Sequence, residues 1–282
     1  MKKIISLVLA LTLLLAFASG CSQPAPAPAP APEPTPTQAA EPEPSVLKVG
    51  ATPVPHAEIL NFIKPLLEKE NIILEIVDFQ DYVQPNTALA DKELDANFFQ
   101  HQPYLDNFIK ERSLDLVSVG NVHVEPLGLY SKTIKDISEL KEGSTIAIPN
   151  DSTNAARALL LLQSNGIIKL KEGSGIEATE KDIAENPKKI KIQPAEAAQL
   201  PRVLEDVDAA VINTNYALPA NLNPTKDALI IEGKDSPYAN IVVVRKGDEN
   251  RAEIQKLIEI LNSDEVKKFL EEKYDGAIVP AF

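Results

Sequence analysis

Hydrophobic and polar positions along this chain alternate between two periods. Short runs rich in β-branched residues, such as "VLKVG", "IILEIVDF" and "LDLVSV", predict strands, and the stretches between them place apolar residues at helical spacing. A second series begins at "STIAIPND" and continues through "KIKIQP" and "DAAVINTNYA". The strand "NIVVVRKG" and two terminal helices follow. This order predicts an α/β fold with largely parallel sheets.

The two α/β series, with the chain returning to the first after about residue 236, predict two lobes joined by two crossovers. We expect lobe I at residues 46–128 plus 236–282 and lobe II at residues 129–235. The cleft between two such lobes is the natural place for a small ligand. Two local features are also expected, a kink or break at Pro65 and a helix over residues 195–205.

The first 45 residues differ from the rest of the chain in composition. Lys2 and Lys3 precede the apolar run "IISLVLALTLLLAFA", and small residues lead to Cys21, which predicts a lipoprotein signal peptide at residues 1–20. Cys21 is the only cysteine and its context resembles a bacterial lipobox, so we expect it to be lipidated. Residues 21–45 read as a Pro/Ala-rich extended tether. The body is therefore expected on the extracytoplasmic face of the cell membrane, or in the periplasm if the cell has two membranes.

One aromatic-rich stretch, "ANFFQHQPYL", is a candidate site. Phe98 and Phe99 point to opposite faces if "DANFF" is a strand. His101 and Tyr104 would then lie beyond the carboxyl end of that strand, where α/β sheets bind ligands. Residue types alone leave a second interpretation open, in which the phenylalanines belong to the core and the histidine is solvated.

Two further stretches offer polar groups. In "IPNDSTNAARALLLL", Ser152, Thr153 or Asn154 can cap a helix, and Arg157 near its start suits a ligand carboxylate, although an arginine turned to solvent is the alternative. Amide side chains also border two apolar strands, where they offer both donors and acceptors or simply serve turns. These amides are Asn213, Asn215 and Asn240.

Six collinear blocks carry a resemblance to a known family. They are "ATPVPHAEIL", "DYVQPN", "DANFFQHQPYL", "PNDSTNAARALLLLQ", "AAVINTNYA" and "DSPYANIVVVR". From Leu47 to the C-terminus the chain resembles the methionine-binding lipoproteins of ABC importers, the NlpA or MetQ family. The resemblance implies a two-lobed periplasmic-binding-protein fold, type II-like, which closes on free L-methionine and delivers it to the permease and ATPase subunits of the importer. It implies no cofactor and no catalytic residue.

The resemblance also implies a role for each residue that matches the family's blocks. The aromatic box around the thioether would be Tyr82, Phe99, His101 and Tyr104. The ligand carboxylate would meet Arg157 and the helix start at Thr153 and Asn154. The α-amino group would meet Asn215 and Asn240.

Several alternatives remain at this stage. The motifs do not separate L-methionine from D-methionine or a methionine-containing dipeptide. A metal receptor would use histidine and carboxylate ligands, which suit zinc, but the candidates are widely separated in sequence. Those candidates are His56, His101, His123 and Glu125. An enzyme on the same fold, such as a lyase, is disfavoured because no G-x-S-x-G motif is present. The net charge of -13 argues against a nucleic-acid partner.

Overall fold

The described part of the chain, residues 43–233 and 236–282 of a computed structural model, is built from strands and helices in alternation. The predicted signal peptide, Cys21 and the tether up to residue 42 lie outside the described residues. The strands are β1 (Ser45–Ala51), β2 (Ile72–Asp78), β3 (Ala96–His101), β4 (Leu116–Val124), β5 (Gly128–Tyr130), β6 (Thr145–Pro149), β7 (Lys169–Leu170), β8 (Ile183–Glu185), β9 (Lys191–Ala195), β10 (Ala209–Ile212), β11 (Ile230–Ile231), β12 (Ala239–Arg245) and β13 (Val279–Pro280). The α-helices are α1 (Glu58–Lys69), α2 (Gln84–Ala90), α3 (Gln102–Arg112), α4 (Ser152–Ser164), α5 (Leu200–Val203), α6 (Thr214–Ala217), α7 (Ala252–Leu261) and α8 (Asp264–Tyr274).

Two main sheets organise these strands. The first has six strands in the order β13-β4-β12-β3-β1-β2, and the second has five in the order β11-β5-β10-β6-β9. The chain passes from the first sheet to the second between β4 and β5 and returns between β11 and β12. The lobe boundaries at residues 128/129 and 235/236 stay a prediction.

Both main sheets are mixed, so the expectation of largely parallel sheets is wrong in detail. In the first sheet β1 pairs in parallel with β2 and β3, but β12 runs antiparallel to both β3 and β4. In the second sheet β6 pairs in parallel with β9 and β10, but β5 is antiparallel to β10 and β11. The strand β12 joins the first sheet after the chain has passed through the second sheet. Its direction therefore depends on where that connection returns to the first sheet.

The central strands are buried on both faces. In β12, Val242 and Val244 pack into one hydrophobic core of the first sheet, while Ile241 and Val243 pack into the core on its other side. Alternation of side chains along a strand accounts for this division. The strand β10 divides its side chains between two cores of the second sheet in the same way. Rigid central strands therefore support the segments that follow them.

The helices differ from expectation at two places. Helix α1 runs from Glu58 to Lys69 and contains Pro65, so of the expected kink or break the break is absent and the kink stays a prediction. The proline ring faces solvent, and the opposite face of the helix is buried through Ile59 and Ile63 among others. The helix expected over residues 195–205 is only the four-residue α5, with Pro201 near its start. Within the described ranges, none of the helices is long and apolar enough to cross a membrane.

Candidate functional site

A cavity lies where strand ends from both sheets meet. It is lined by residues at the ends of β3 and β4, at the start of β12, and at the beginnings of α4 and α6. In α/β sheets, small ligands bind beyond the carboxyl ends of the strands. The cavity has about 350 Å³ of empty space, part of it open to solvent.

Aromatic side chains form one wall of the cavity. They are Tyr82, Phe99, His101 and Tyr104. The ring centroids of Tyr82 lie 6.0 Å from Phe99 and 5.8 Å from Tyr104. The neighbouring Phe98 is fully buried in the core of the first sheet. The alternation of β3 therefore separates a core phenylalanine from a cavity phenylalanine, as the sequence predicts.

His101 is held in one tautomer at the end of β3. Its Nδ1 accepts a hydrogen bond from the backbone N–H of Tyr104 at 3.2 Å, which caps α3. The proton of the neutral ring therefore sits on Nε2, which donates to Oδ1 of Asn154 at 3.1 Å. Burial, followed by the nearby positive charge of Arg157, lowers the pKa of His101 to about 3. The ring is neutral at physiological pH and offers an apolar face to the cavity.

Amide side chains form a second wall. Asn154 uses Oδ1 to accept from Nδ2 of Asn213 at 2.9 Å as well as from His101. Asn215 accepts from the hydroxyl of Tyr82 at 2.5 Å. Asn240 places its Oδ1 3.0 Å from Nε2 of His56. Two of these hydrogen bonds, from His101 to Asn154 and from Tyr82 to Asn215, connect segments attached to the two different sheets.

Two amide atoms at this wall have no hydrogen-bond partner among the described residues. They are Oδ1 of Asn213 and Nδ2 of Asn215, and both are buried. Buried polar atoms are nearly always paired, so unpaired ones in a cavity require an explanation. One atom is an acceptor and the other a donor, so a ligand that carries both kinds of group would satisfy them.

Arg157 lines the cavity but has close protein partners. It is the sixth residue of α4, in the second helical turn and not the first as expected. Its Nε donates to Oε1 of Glu232 at 3.0 Å, and its Nη2 donates to Oε2 of Glu232 and, at 2.8 Å, to the backbone carbonyl of Glu125. The guanidinium also lies 4.3 Å from the ring centroid of Tyr238. Within the described residues Nη1 makes no hydrogen bond.

The start of α4 is capped differently from the prediction. The N-cap is Asp151, whose Oδ1 accepts from the backbone N–H of Asn154 at 2.9 Å, and not Ser152, Thr153 or Asn154. The hydroxyl of Thr153 donates to the same Asp151 carboxylate at 3.0 Å. Thr153 is not among the residues that line the cavity, whereas Asn154 is. Of the residues that the sequence assigns to the site, Thr153 is the one that the structure leaves out.

A buried cluster of His56, His123 and Glu125 lies beside the cavity, and Glu125 is part of the cavity wall. Oε1 of Glu125 is 2.8 Å from Nε2 of His123 and 3.2 Å from Nε2 of His56. Burial lowers the pKa of His56 to about 4 and that of His123 to about 3. Burial also raises the pKa of Glu125, although the positive charge of Arg157 opposes that rise.

This cluster bears on the metal alternative. The three side chains bring ligand atoms within 4.8 Å of one another, although they are far apart in sequence, and two imidazoles with a carboxylate suit zinc. His101, the fourth candidate, is not part of the group. His123 Nδ1 is buried without a partner among the described residues. A metal on Nε2 would force a proton onto this nitrogen with no acceptor, which favours the hydrogen-bonded arrangement over a metal centre.

Sequence reasoning did not place three of the cavity residues in the ligand site, namely Gln100, Glu125 and Thr214. It offered Asn213 as an amide at a strand end, but the family resemblance gave that residue no role. Glu125 directly follows β4, so a rule that collects polar residues after every strand would have found it. Gln100 is held in a buried amide network by Asn86, whose Nδ2 donates to Oε1 of Gln100 at 2.9 Å. No local pattern marks that contact.

The fold has two mixed β-sheets with helices between the strands, and a small polar and aromatic cavity lies where the strand ends meet. These features define a substrate-binding protein of the periplasmic type. Comparison with known proteins gives the family. The model of the NlpA lipoprotein family matches residues 47–282, and the chain belongs to this family. The family is one of substrate-binding proteins, as the sequence resemblance implies.

Relatives and solved structures agree with this assignment. The chain is 47% identical over 234 residues to the probable D-methionine-binding lipoprotein MetQ of Vibrio cholerae, a match that covers 83% of this chain and 87% of that protein. It is 44% identical over 239 residues to the D-methionine-binding lipoprotein MetQ of Escherichia coli, covering 84% of this chain and 88% of that one. A nutrient-binding protein from Burkholderia cenocepacia, solved bound to methionine, has a TM-score of 0.82 and 50% identity and covers 84% of this chain and 100% of its own.

Proposed function

We propose that this protein is the substrate-binding lipoprotein of an ABC importer, that it captures L-methionine in the cavity, and that it delivers the amino acid to a membrane permease. The observation that carries the proposal is the pair of unpaired buried amide atoms, on Asn213 and Asn215, opposite an aromatic wall. An amino acid supplies a donor and an acceptor on one carbon, and methionine adds a thioether for the aromatic rings. Contacts between sulfur and aromatic rings are worth about 0.3 to 1.5 kcal/mol each.

The division of labour within the site follows from its chemistry. The carboxylate of the ligand would meet Arg157 and the donor Nδ2 of Asn215. Its α-ammonium group, which only donates, would meet the acceptors Oδ1 of Asn213 and Oδ1 of Asn240, in place of the expected assignment to Asn215. The side chain would pack against the aromatic wall, where the neutral ring of His101 can contact a thioether without the cost of burying a charge. A binding function accounts for these features without a catalytic step.

The lipid anchor belongs to the same proposal. Cys21 would carry the lipid and the Pro/Ala-rich tether would let the body reach the permease from the extracytoplasmic face of the membrane. Relatives named as membrane or outer membrane lipoproteins support this localisation.

The test is calorimetric titration of the purified protein after unfolding and refolding, which removes ligand carried over from the cell. We expect L-methionine to bind with micromolar or tighter affinity, a free energy of at least about 8 kcal/mol. It should also raise the melting temperature, because the ligand binds the folded state only. Absence of both heat and thermal shift would reject the proposal.

Separate titrations test the stereochemistry of the ligand and whether it is a free amino acid or a dipeptide. The relatives named for D-methionine make that enantiomer the second candidate, so both enantiomers are titrated in parallel. A methionine-containing dipeptide is titrated as well. Mass spectrometry of ligand released from freshly purified protein identifies what the cell supplies.

A further inference from the structure

The buried carboxylate of Glu125 is held by hydrogen-bond donors on several sides. His56 has Nδ1 2.7 Å from the hydroxyl of Thr52, and its Nε2 faces two acceptors, Oδ1 of Asn240 and Oε1 of Glu125. With Glu125 and Asn240 as acceptors, Thr52 donates to Nδ1 and the ring proton is on Nε2. Nε2 of His123 also points at Oε1 of Glu125, at 2.8 Å.

These donors favour the charged form of the group. Oε1 of Glu125 receives two imidazole N–H groups, and hydrogen bonds to a carboxylate stabilise its ionised form. Hydrogen bonds to the charged form stabilise it, and here they offset part of the cost of burial. Glu125 is therefore a buried acceptor with neutral donors behind it, and because burial raises its pKa, a cation placed beside it would favour its charged form.

The other charged side chains near the cavity do not pair directly with the Glu125 carboxylate. The ionic residues in the cavity lining are Glu125 and Arg157. The guanidinium of Arg157 already has a carboxylate partner in Glu232, whose side chain is 16% exposed. The carboxylate of Glu125 has neutral donors and a more distant Arg157, so it lacks a cation in direct contact among the described residues. A buried carboxylate without such a partner is costly, and a ligand cation would remove that cost.

We propose that Glu125, positioned by His56 and His123, is the counter-charge for the α-ammonium group of the ligand and makes the site selective for free amino acids over N-acylated ones. The inference rests on the proposed function and adds a residue to it. An ammonium group pairs with the carboxylate, whereas an amide nitrogen, as in a peptide or an N-acetyl amino acid, brings no charge and leaves Glu125 buried and unpaired. Selectivity then comes from the penalty on the wrong ligand as well as from the contact with the right one.

The experiment compares three ligands that share the thioether and the carboxylate but differ at the α-position. They are L-methionine, N-acetyl-L-methionine and 4-(methylthio)butanoic acid, which has no amino group. Each is titrated by calorimetry into the wild-type protein, the Glu125→Gln variant and the Glu125→Asp variant. Glu125→Gln keeps the size of the side chain and removes the charge, while Glu125→Asp keeps the charge on a shorter arm. Far-UV circular dichroism checks that each variant folds.

The wild-type protein should bind methionine at least about 10- to 100-fold more tightly than 4-(methylthio)butanoic acid, the range for a hydrogen bond to a charged group. Glu125→Gln should lose most of that ratio by weakening methionine alone, and Glu125→Asp should retain part of it. Equal weakening of all three ligands in Glu125→Gln would mean a structural role and would overturn the inference. A wild-type protein that binds methionine and its des-amino analogue equally would overturn it even if both variants fail to fold.

Two further outcomes distinguish this inference from the proposed function on which it rests and from a metal site. If the wild-type protein binds neither methionine nor the analogues, the proposed function fails and the role of Glu125 falls with it. If the purified protein carries stoichiometric zinc, and its removal by EDTA abolishes methionine binding, then Glu125 is a metal ligand and the inference is wrong.

Discussion

The hydrogen bond between Tyr82 and Asn215 gives a sharp test of how the cavity is closed. The hydroxyl of Tyr82 donates to Oδ1 of Asn215 at 2.5 Å. Tyr82 precedes α2, beside the first sheet, and Asn215 lies in α6, which follows a strand of the second sheet. Burial raises the pKa of Tyr82, so the phenol stays protonated and remains a donor. The substitution Tyr82→Phe removes this bond and leaves the aromatic ring in place.

The structure sets the size of the expected effect. A neutral hydrogen bond contributes about 0.5 to 1.5 kcal/mol, and a buried acceptor left unpaired adds to the loss. Asn215 already has an unpaired Nδ2, so Tyr82→Phe would leave both ends of the amide without their protein partner. We expect a total loss of about 1 to 2 kcal/mol in methionine binding, which corresponds to about a 5- to 30-fold weaker Kd.

A neighbouring tyrosine provides the matched control. The rings of Tyr82 and Tyr216 are 5.1 Å apart, and the hydroxyl of Tyr216 donates to the backbone carbonyl of Gln80 at 3.2 Å in an exposed position. Water can replace that bond, so Tyr216→Phe should change the Kd by less than about twofold. Calorimetric titration of both variants with L-methionine decides the question. An unchanged Kd in Tyr82→Phe, or the same loss in both variants, would refute the claim that the buried bond closes the cavity.

Three other predictions concern the site and its support. Arg157→Ala should weaken binding of every amino acid by at least about 100-fold, because a charge-assisted contact is lost. His101→Ala should instead mainly reduce the preference for methionine over leucine. Calorimetry with both ligands would contradict this if each variant lost the same affinity for methionine as for leucine. Between pH 6.5 and about 3, His101 is protonated in the unfolded chain and neutral in the folded chain, so its contribution to stability is complete above pH 6.5 and is lost as the pH falls. From pH 7 to pH 5 the free energy of unfolding, measured with urea, should therefore fall more steeply for the wild type than for His101→Gln, by up to about 1.4 kcal/mol per pH unit. Equal slopes would reject the assignment. Asn86→Ala should lower the free energy of unfolding by about 2 to 4 kcal/mol because it strips Gln100 of a buried partner. Asn107→Ala, at a half-buried residue whose side-chain hydrogen bonds are exposed, should change it by no more than about 0.5 kcal/mol. Similar urea midpoints for the two variants would show that the amide network is not structural.

Local pattern was sufficient for the elements that depend on neighbouring residues. The period of two in β3 predicts that Phe98 and Phe99 face opposite ways, and the structure places one in a core and the other at the cavity. Pro103 near the start of α3 and the stripe of Ile254 and Leu257 in α7 are local signals of the same kind. Strand and helix periodicity is a property of a few consecutive residues, so it is legible in the sequence.

Local pattern failed where a nearby competitor or the tertiary context decided the outcome. Asp151 caps α4 because its carboxylate reaches the backbone N–H of Asn154, although three later residues were also suitable caps. Pro65 stays inside α1 because the buried face of that helix holds it against the core, which outweighs the lost hydrogen bond. Propensity is a weak preference that packing overrides.

What the sequence by itself determined is therefore the order of elements, the aromatic stretch of β3 and the family that its blocks resemble. Only the tertiary structure decided that β12 inserts antiparallel between β3 and β4, and so brings Asn240 to His56 across 184 residues. It also decided that two distant histidines meet on Glu125. Separation along a chain carries no information about distance in space, because such contacts result from the packing of whole sheets and not from any one stretch of residues.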